Sequence, residues 1–357
     1  MPKTKSPERQ EMIVTRPKRF KSETFDFQLN RAMQYTLYRA ASVGECYLAA
    51  DGIRDGDFEG WTQSWEALAT RIEQMAAHAL DRRHFISARD TYLRAWNYYR
   101  AAEFFVPVRS EKKRALFQQS AACFARAAAL HDHPFDRVEI PYENTAIPGH
   151  FIRPAADDQK RNTVIFMGGG DLSGEETYFA IGGPAAVERG YNVLIFDGPG
   201  QRGMLHADPS QVFRPDYEAV ITPIVEFLLE QKGVDAARIG FHGISLAGLL
   251  GARAAAFEHR IRALVLNSPM IDFRIWNEKF IEPYIGWLPG KAYERAFQFL
   301  ARRIPLLGYA YDQYTWILGV KGMRNVLDRQ DEFNLGDTPT QIACPVLCLY
   351  SQGENVY

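Results

Sequence analysis

Four things are scarce or missing in this 357-residue sequence, and each shortage excludes a class of function. Cysteine occurs only at positions 46, 123, 344 and 348. None of these has metal-ligand or redox spacing, and Cys344 and Cys348 flank an apolar run as small buried hydrophobes would. A disulfide scaffold is therefore set aside, and a reducing, cytoplasmic setting is expected. No apolar run is long enough to span a bilayer and no secretory core follows Met1, so no membrane contact is expected. Charge of one sign is also missing, with 42 Lys and Arg against 43 Asp and Glu. A net charge of −1 gives no field that would gather nucleic acid. The basic residues near the start (Lys3, Lys5, Arg9, Arg16, Lys18, Arg19 and Lys21) read as a solvated tail. The fourth shortage is late histidine: the eight stand at 78, 84, 131, 133, 150, 206, 242 and 259.

An apolar fraction of 46% is ordinary for a globular chain, and the length suits one large core with a smaller module. Residues 1–24 read as a disordered tail. Residues 25–133 read as an all-helical module of four or five helices. Its apolar and aromatic positions recur every three or four residues, as in Trp61, Trp65, Leu68, Ile72 and Met75. Its aromatic stripes serve as packing surface or as a lid. From 134 to 357 a hairpin pattern is followed by strands alternating with helices, the signature of a mostly parallel sheet covered on both faces. An aromatic-rich helical stretch at about 271–336 interrupts the alternation, either as a cap walling a pocket or as helices packed on the sheet edge. The fold class expected is α/β, with an N-terminal helical domain and a helical cap.

The sharpest local signal is Gly243-Ile244-Ser245-Leu246-Ala247-Gly248, entered from the apolar run Ile239–His242 and followed by an Ala-rich helix former. Strand, tight turn and helix with serine at the apex is the setting of a nucleophile elbow. Small residues are needed two before and two after the serine, and Gly243 and Ala247 supply them. A serine that merely caps the helix is the plain alternative. The backbone N–H of Leu246 would be one oxyanion donor. The loop Gly168-Gly169-Gly170-Asp171 would supply another near Gly170 or Asp171, where glycine lets backbone approach closely. That loop lacks the Lys-Ser/Thr pair of a P-loop, so nucleotide binding is not favoured, and no cofactor or metal is expected.

A serine needs a base, and the base needs an orienting acid. Glu354 is the carboxylate that follows the strand Val346–Tyr350, though it also reads as a surface loop residue. Asp328, Asp331 and Asp337 precede that strand and are weaker candidates. In the order serine, acid, histidine the base comes after the last strands, where this sequence has none. His206 is the nearest substitute. The expectation is that the C-terminal end, with the base, is missing beyond Tyr357.

These residues resemble the α/β-hydrolase superfamily. The closer likeness is to its branch with an N-terminal helical domain, which includes dihydroxypseudooxynicotine hydrolase and the fungal yellowish-green pigment hydrolases. The resemblance is carried by Ser87–Ala95 with Tyr98-Tyr99-Arg100, Gly168–Gly170, Gly174-Glu175-Glu176, Phe196–Gln201, Phe213–Asp216 and Gly243–Leu246. It implies Ser245 as nucleophile, Leu246 N–H in the oxyanion hole and Glu354 as the acid, where aspartate is usual. It also implies an acidic residue facing the pocket, with Glu176 the better match of the Glu175-Glu176 pair. The expected activity is hydrolysis of a C–C bond beside a carbonyl, or of an ester, in an aromatic or polyketide-like small molecule of secondary metabolism such as a pigment precursor. Glu176 would contact a substrate hydroxyl or help protonate the leaving group. A homodimer is a candidate assembly. The rival readings are a general carboxylesterase or peptidase, and a binding protein without the base.

Overall fold

The computed structural model describes residues 18–274 and 282–350. Helix α1 (Glu23–Gln34) starts where the Ser22 hydroxyl accepts from the N–H of Phe25, just before the expected helical start at 25. Helices α2 (Val43–Ala50), α3 (Phe58–Asp81), α4 (Phe85–Glu103) and α5 (Glu111–Ala128) follow. Caps set their starts: Asp57 accepts from the Gly60 N–H at 2.8 Å, and Ser110 from that of Lys113 at 3.2 Å. On α3 the buried residues Trp61, Trp65, Leu68, Ala69, Ile72 and Ala76 form one stripe, packed chiefly on α4. Asn97 of α4 donates to the carbonyls of Ala32 and Ala40, closing the bundle around α1.

Strands β1 (Phe135–Tyr142) and β2 (Thr145–Ile152) form the expected hairpin. Then come β3 (Arg161–Met167), α6 (Gly174–Ala180), α7 (Gly183–Glu188), β4 (Asn192–Phe196), α8 (Arg202–Ala207), α9 (Glu218–Glu230), β5 (Val234–Ile244), α10 (Leu246–Phe257), β6 (Ile261–Asn267) and β7 (Val346–Leu349). The spatial order is β1-β2-β4-β3-β5-β6-β7, with β4 through β7 parallel and β2 antiparallel to both of its neighbours, β1 and β4. The helix expected at Gly182–Arg189 is thus preceded by a second short helix, and the turn after β4 runs into α8. Neither α6 nor α8 exceeds seven residues, too few for periodicity to reveal.

The central strands are buried on both faces, so their alternate side chains enter two different cores. Leu194 and Phe196 pack with β3, α9 and α10, whereas Val193, Ile195 and Phe166 pack with α6, α7 and the N-terminal helices. The helical module therefore shares its core with one face of the sheet. Four helices of the cap, Glu282–Ile285, Gly290–Arg303, Pro305–Ile317 and Met323–Gln330, are described between β6 and β7. They bury Tyr293, Phe297, Trp316 and Ile317 against the other core, while Trp287 stays 77% exposed. Among the described residues no helix is long and apolar enough to cross a membrane.

Trp96 sits at the shared seam, 4.9 Å from Phe179 of α6 and within 6 Å of Tyr35 and Phe124. Trp96→Ala is expected to lower stability by about 3–5 kcal/mol, read from the denaturant midpoint.

Candidate active site

Ser245 stands alone between the last residue of β5 and the first of α10, with φ 61° and ψ −129°. A non-glycine residue held there costs about 1–3 kcal/mol, which the surroundings must supply. Its N–H donates to the carbonyl of Asn267 at 3.0 Å, and its own carbonyl accepts from Gly248 at 2.7 Å. A methyl group on Gly243 would collide with the carbonyl of Ala247. Ala247 itself is fully buried and its methyl is accommodated, so alanine serves where glycine is more usual.

The registry of the parallel strands brings the glycine loop to this serine. Met167, the last residue of β3, pairs with Gly243 of β5, so both strands end at the same level. Ligand sites of open α/β sheets lie at that carboxyl end. Gly169 makes the closest approach: a Cβ there would lie 2.7 Å from Ser245 Cβ, 2.9 Å from its Oγ and 3.1 Å from the Leu246 nitrogen. Gly170 and Asp171, where the second oxyanion donor is expected, follow it in the loop. Gly170 lies one step out, against Ile317 and the Leu246 side chain, with its carbonyl accepting from Gln313 Nε2 at 3.1 Å. Asp171 accepts from Arg31 at 2.6 Å through Oδ2 and at 3.2 Å through its carbonyl.

A cavity of about 440 Å³ opens at Ser245, Leu246, Gly170 and Asp171. The helical module contributes Phe27 and Phe104 to its wall, and the cap contributes Tyr309, Gln313 and Ile317. Tyr309 packs on Phe104 and Phe105 with ring centres 5.2 and 5.6 Å apart. The wall is thus mostly apolar and aromatic, with few polar groups, as small-molecule sites usually are.

Glu176 does not join this wall, and here the structure departs from the expectation of a pocket-facing acid. It is fully buried behind the glycine loop. Arg31 donates to both its oxygens at 2.7 and 2.8 Å, Tyr35 donates at 2.8 Å, and Arg100 lies 3.2 Å away. Burial acts to raise its pKa, but the Arg100 and Arg31 charges outweigh it and hold the carboxyl at about 2. At neutral pH a carboxylate held this low and bound through both oxygens has no proton to give. A second buried pairing lies nearby, where Glu103 of α4 accepts from Arg202 of α8 at 2.9 Å and meets Lys113 at 3.3 Å. Arg31, Tyr35 and Gln313 carry no motif that could have signalled them; Arg100 stands in the stretch that carries the resemblance.

Glu354 lies outside the described residues. Leu349 at the end of β7 pairs with Asn267 and accepts from the N–H of Ser268 at 2.7 Å, so the chain leaves β7 at the level of Ser245. All eight histidines are described, and none lines the cavity. His206 lies on α8 between Phe117 and Trp316, and burial lowers it to about 4. His242 packs on Phe166 and burial lowers it likewise to about 4.

No protein-family model matches the sequence. The fold matches the crystal structure of 2,6-dihydroxy-pseudo-oxynicotine hydrolase with a TM-score of 0.71 at 21% identity, over 89% of this chain and 80% of that one. In sequence the chain is 33% identical over 345 residues to "Hydrolase LUC6" of a Fusarium species, covering 92% of this chain and 82% of that protein. The chain belongs to the α/β-hydrolase family. This α/β-hydrolase is also 30% identical to "20-hydroxy-prefusarin hydrolase FUS2" of Gibberella moniliformis, over 92% of its own length and 82% of the relative's.

Two outcomes are expected from this geometry. Gly169→Ala should place a methyl against Ser245 and remove reaction of that serine with a fluorophosphonate probe, while the circular dichroism spectrum stays unchanged. Glu176, held at about 2 against an ordinary 4.5, contributes stability that is complete above pH 4.5 and is lost as pH falls toward 2. Glu176→Gln should therefore cost about 3–5 kcal/mol at pH 7, because it takes the carboxylate from buried Arg100 and leaves Arg31 with Asp171 alone, and less at pH 3, measured by urea unfolding at both values.

Proposed function

We propose that this α/β-hydrolase is a serine hydrolase that cleaves a C–C bond next to a carbonyl, or an ester, in an aromatic or polyketide-like small molecule. The observation that carries the reading is the left-handed backbone of Ser245 at a strand–helix junction, with a glycine backbone laid against its hydroxyl. In this reading Ser245 Oγ adds to the substrate carbonyl and loses its proton to a base. The oxyanion forms beside the Leu246 N–H and the glycine loop. Collapse breaks the bond to the leaving carbon or oxygen, which takes the electron pair and then a proton. Water hydrolyses the acyl-enzyme and regenerates the serine. Glu354 keeps the role of acid, supported by the exit of β7 beside Ser245. Glu176 has no direct part, because its oxygens are bound by arginine and tyrosine.

The substrate class rests on the aromatic cavity wall and on a relative named for hydrolysis of a prefusarin. That relationship supports a place in secondary metabolism. A general carboxylesterase would share the machinery, and comparing turnover of a β-diketone with that of a simple acyl ester separates the two.

One observation favours a second reading, a binding protein with the same fold: no histidine lines the cavity. Fluorophosphonate labelling decides between them. Labelling of the wild type that is lost in Ser245→Ala, with hydrolysis of an activated ester reduced about 10³-fold or more, is the expected result. A wild type that binds an aromatic polyketide but takes no label would leave the binding protein as the surviving reading.

A further inference from the structure

The glycine loop that faces Ser245 has its own polar contacts with side chains from outside the sheet. On one side Arg31 of α1 holds Asp171 through both its carboxylate and its carbonyl, at 2.6 and 3.2 Å. Arg31 is fixed in turn by two bonds to Glu176, at 2.7 and 2.8 Å. On the other side Gln313, from the cap helix Pro305–Ile317, donates through Nε2 to the carbonyl of Gly170 at 3.1 Å. Gly168 is held from a third direction, where Gln201 donates to its carbonyl at 2.9 Å, but Gln201 belongs to the turn before α8. Three consecutive glycines have little conformational preference of their own, so external bonds must set the direction of their N–H groups.

From this arrangement we propose that Arg31 and Gln313 are positioning residues for the glycine loop. They set the loop's backbone for the oxyanion only when the helical module and the cap are both docked. The proposal rests on the serine-hydrolase reading given above. Arg31 and Gln313 need not touch the reacting atoms. Each acts on the carbonyl side of a peptide unit, and the N–H across that unit turns with it. Gln313 also lines the cavity, and its Oε1 has no hydrogen-bond partner among the described residues. The bond to Gly170 is thus the polar contact that fixes its amide. A substrate that presses on the cap helix would move Gln313, and with it the loop. Filling of the cavity and readiness of the oxyanion site are coupled through that one bond.

The two side chains differ in what they should show. Arg31→Lys keeps the charge but loses the fork that spans Asp171 and Glu176 together. Gln313→Ala removes the donor to Gly170 and leaves the ionic cluster intact. Both variants are made in the full chain beside Ser245→Ala and assayed on a p-nitrophenyl ester. Hydrogen exchange is followed on the peptide spanning residues 166–172.

The expected result is a kcat lower by about 10–100-fold in Gln313→Ala and Arg31→Lys, with KM changed less than about threefold. Exchange in 166–172 should rise in both, with the other sheet peptides unchanged. A merely structural role would instead lower the melting temperature and spread faster exchange over the whole module. Unchanged kcat and unchanged loop exchange in folded Gln313→Ala, with Ser245→Ala inactive, overturns the positioning role and leaves the serine reading standing. Full activity in Ser245→Ala overturns both. Should Arg31→Lys fail to fold, Gln313→Ala decides alone.

Discussion

One guanidinium joins the three parts of this molecule that matter for chemistry. Arg31 belongs to the first helix, yet it makes four hydrogen bonds to Glu176 of α6 and Asp171 of the glycine loop. Taking these charges out of water is expensive, and ion pairing alone seldom repays it. What the arrangement does supply is direction, because a planar fork meets two carboxylates in only one orientation. The reciprocal pair, Glu103 of the module against Arg202 of α8, fixes the same seam close by. With apolar contact and charge pairing along one seam, the helical module is seated on the sheet.

The rest of the site follows from parallel registry. Because β3 and β5 end at the same level, the loop after one lies beside the turn after the other. The strained serine is then held by bonds to its neighbours, Asn267 on β6 and Gly248 on α10, and not by its own side chain. The cavity is closed by rings from two regions that are far apart in sequence, Phe104 and Tyr309. Neither region forms an apolar wall alone.

Much of this was legible in the residues. The strand–turn–helix around Ser245 was readable because its requirements are local: small neighbours, a β-type run before and helix formers after. Helix α10 spans the residues its composition indicated, Leu246–Phe257. The hairpin, the parallel alternation and the helical cap were legible for the same reason, since periodicity records which face is buried. What stayed hidden depends on distance. A glutamate in a sequence shows its acid, not the two arginines and the tyrosine that surround Glu176 from 76 to 145 positions away. The register of three consecutive glycines was likewise invisible, and the one nearest the serine is Gly169. Aromatic content marked the cap but did not orient it, so buried Tyr293 and exposed Trp287 looked alike.

The short strand β4 has a consequence for how such enzymes diversify. Its five residues are all buried, and consecutive ones answer to different cores. Val193 and Ile195 must suit the N-terminal helices, while Leu194 and Phe196 must suit the layer beneath the Ser245 turn. A lineage that acquires a differently shaped helical module must therefore alter every second position of this strand in step with it. A helical module moved onto another sheet would therefore need Val193 and Ile195, or residues that fill the same space, to travel with it.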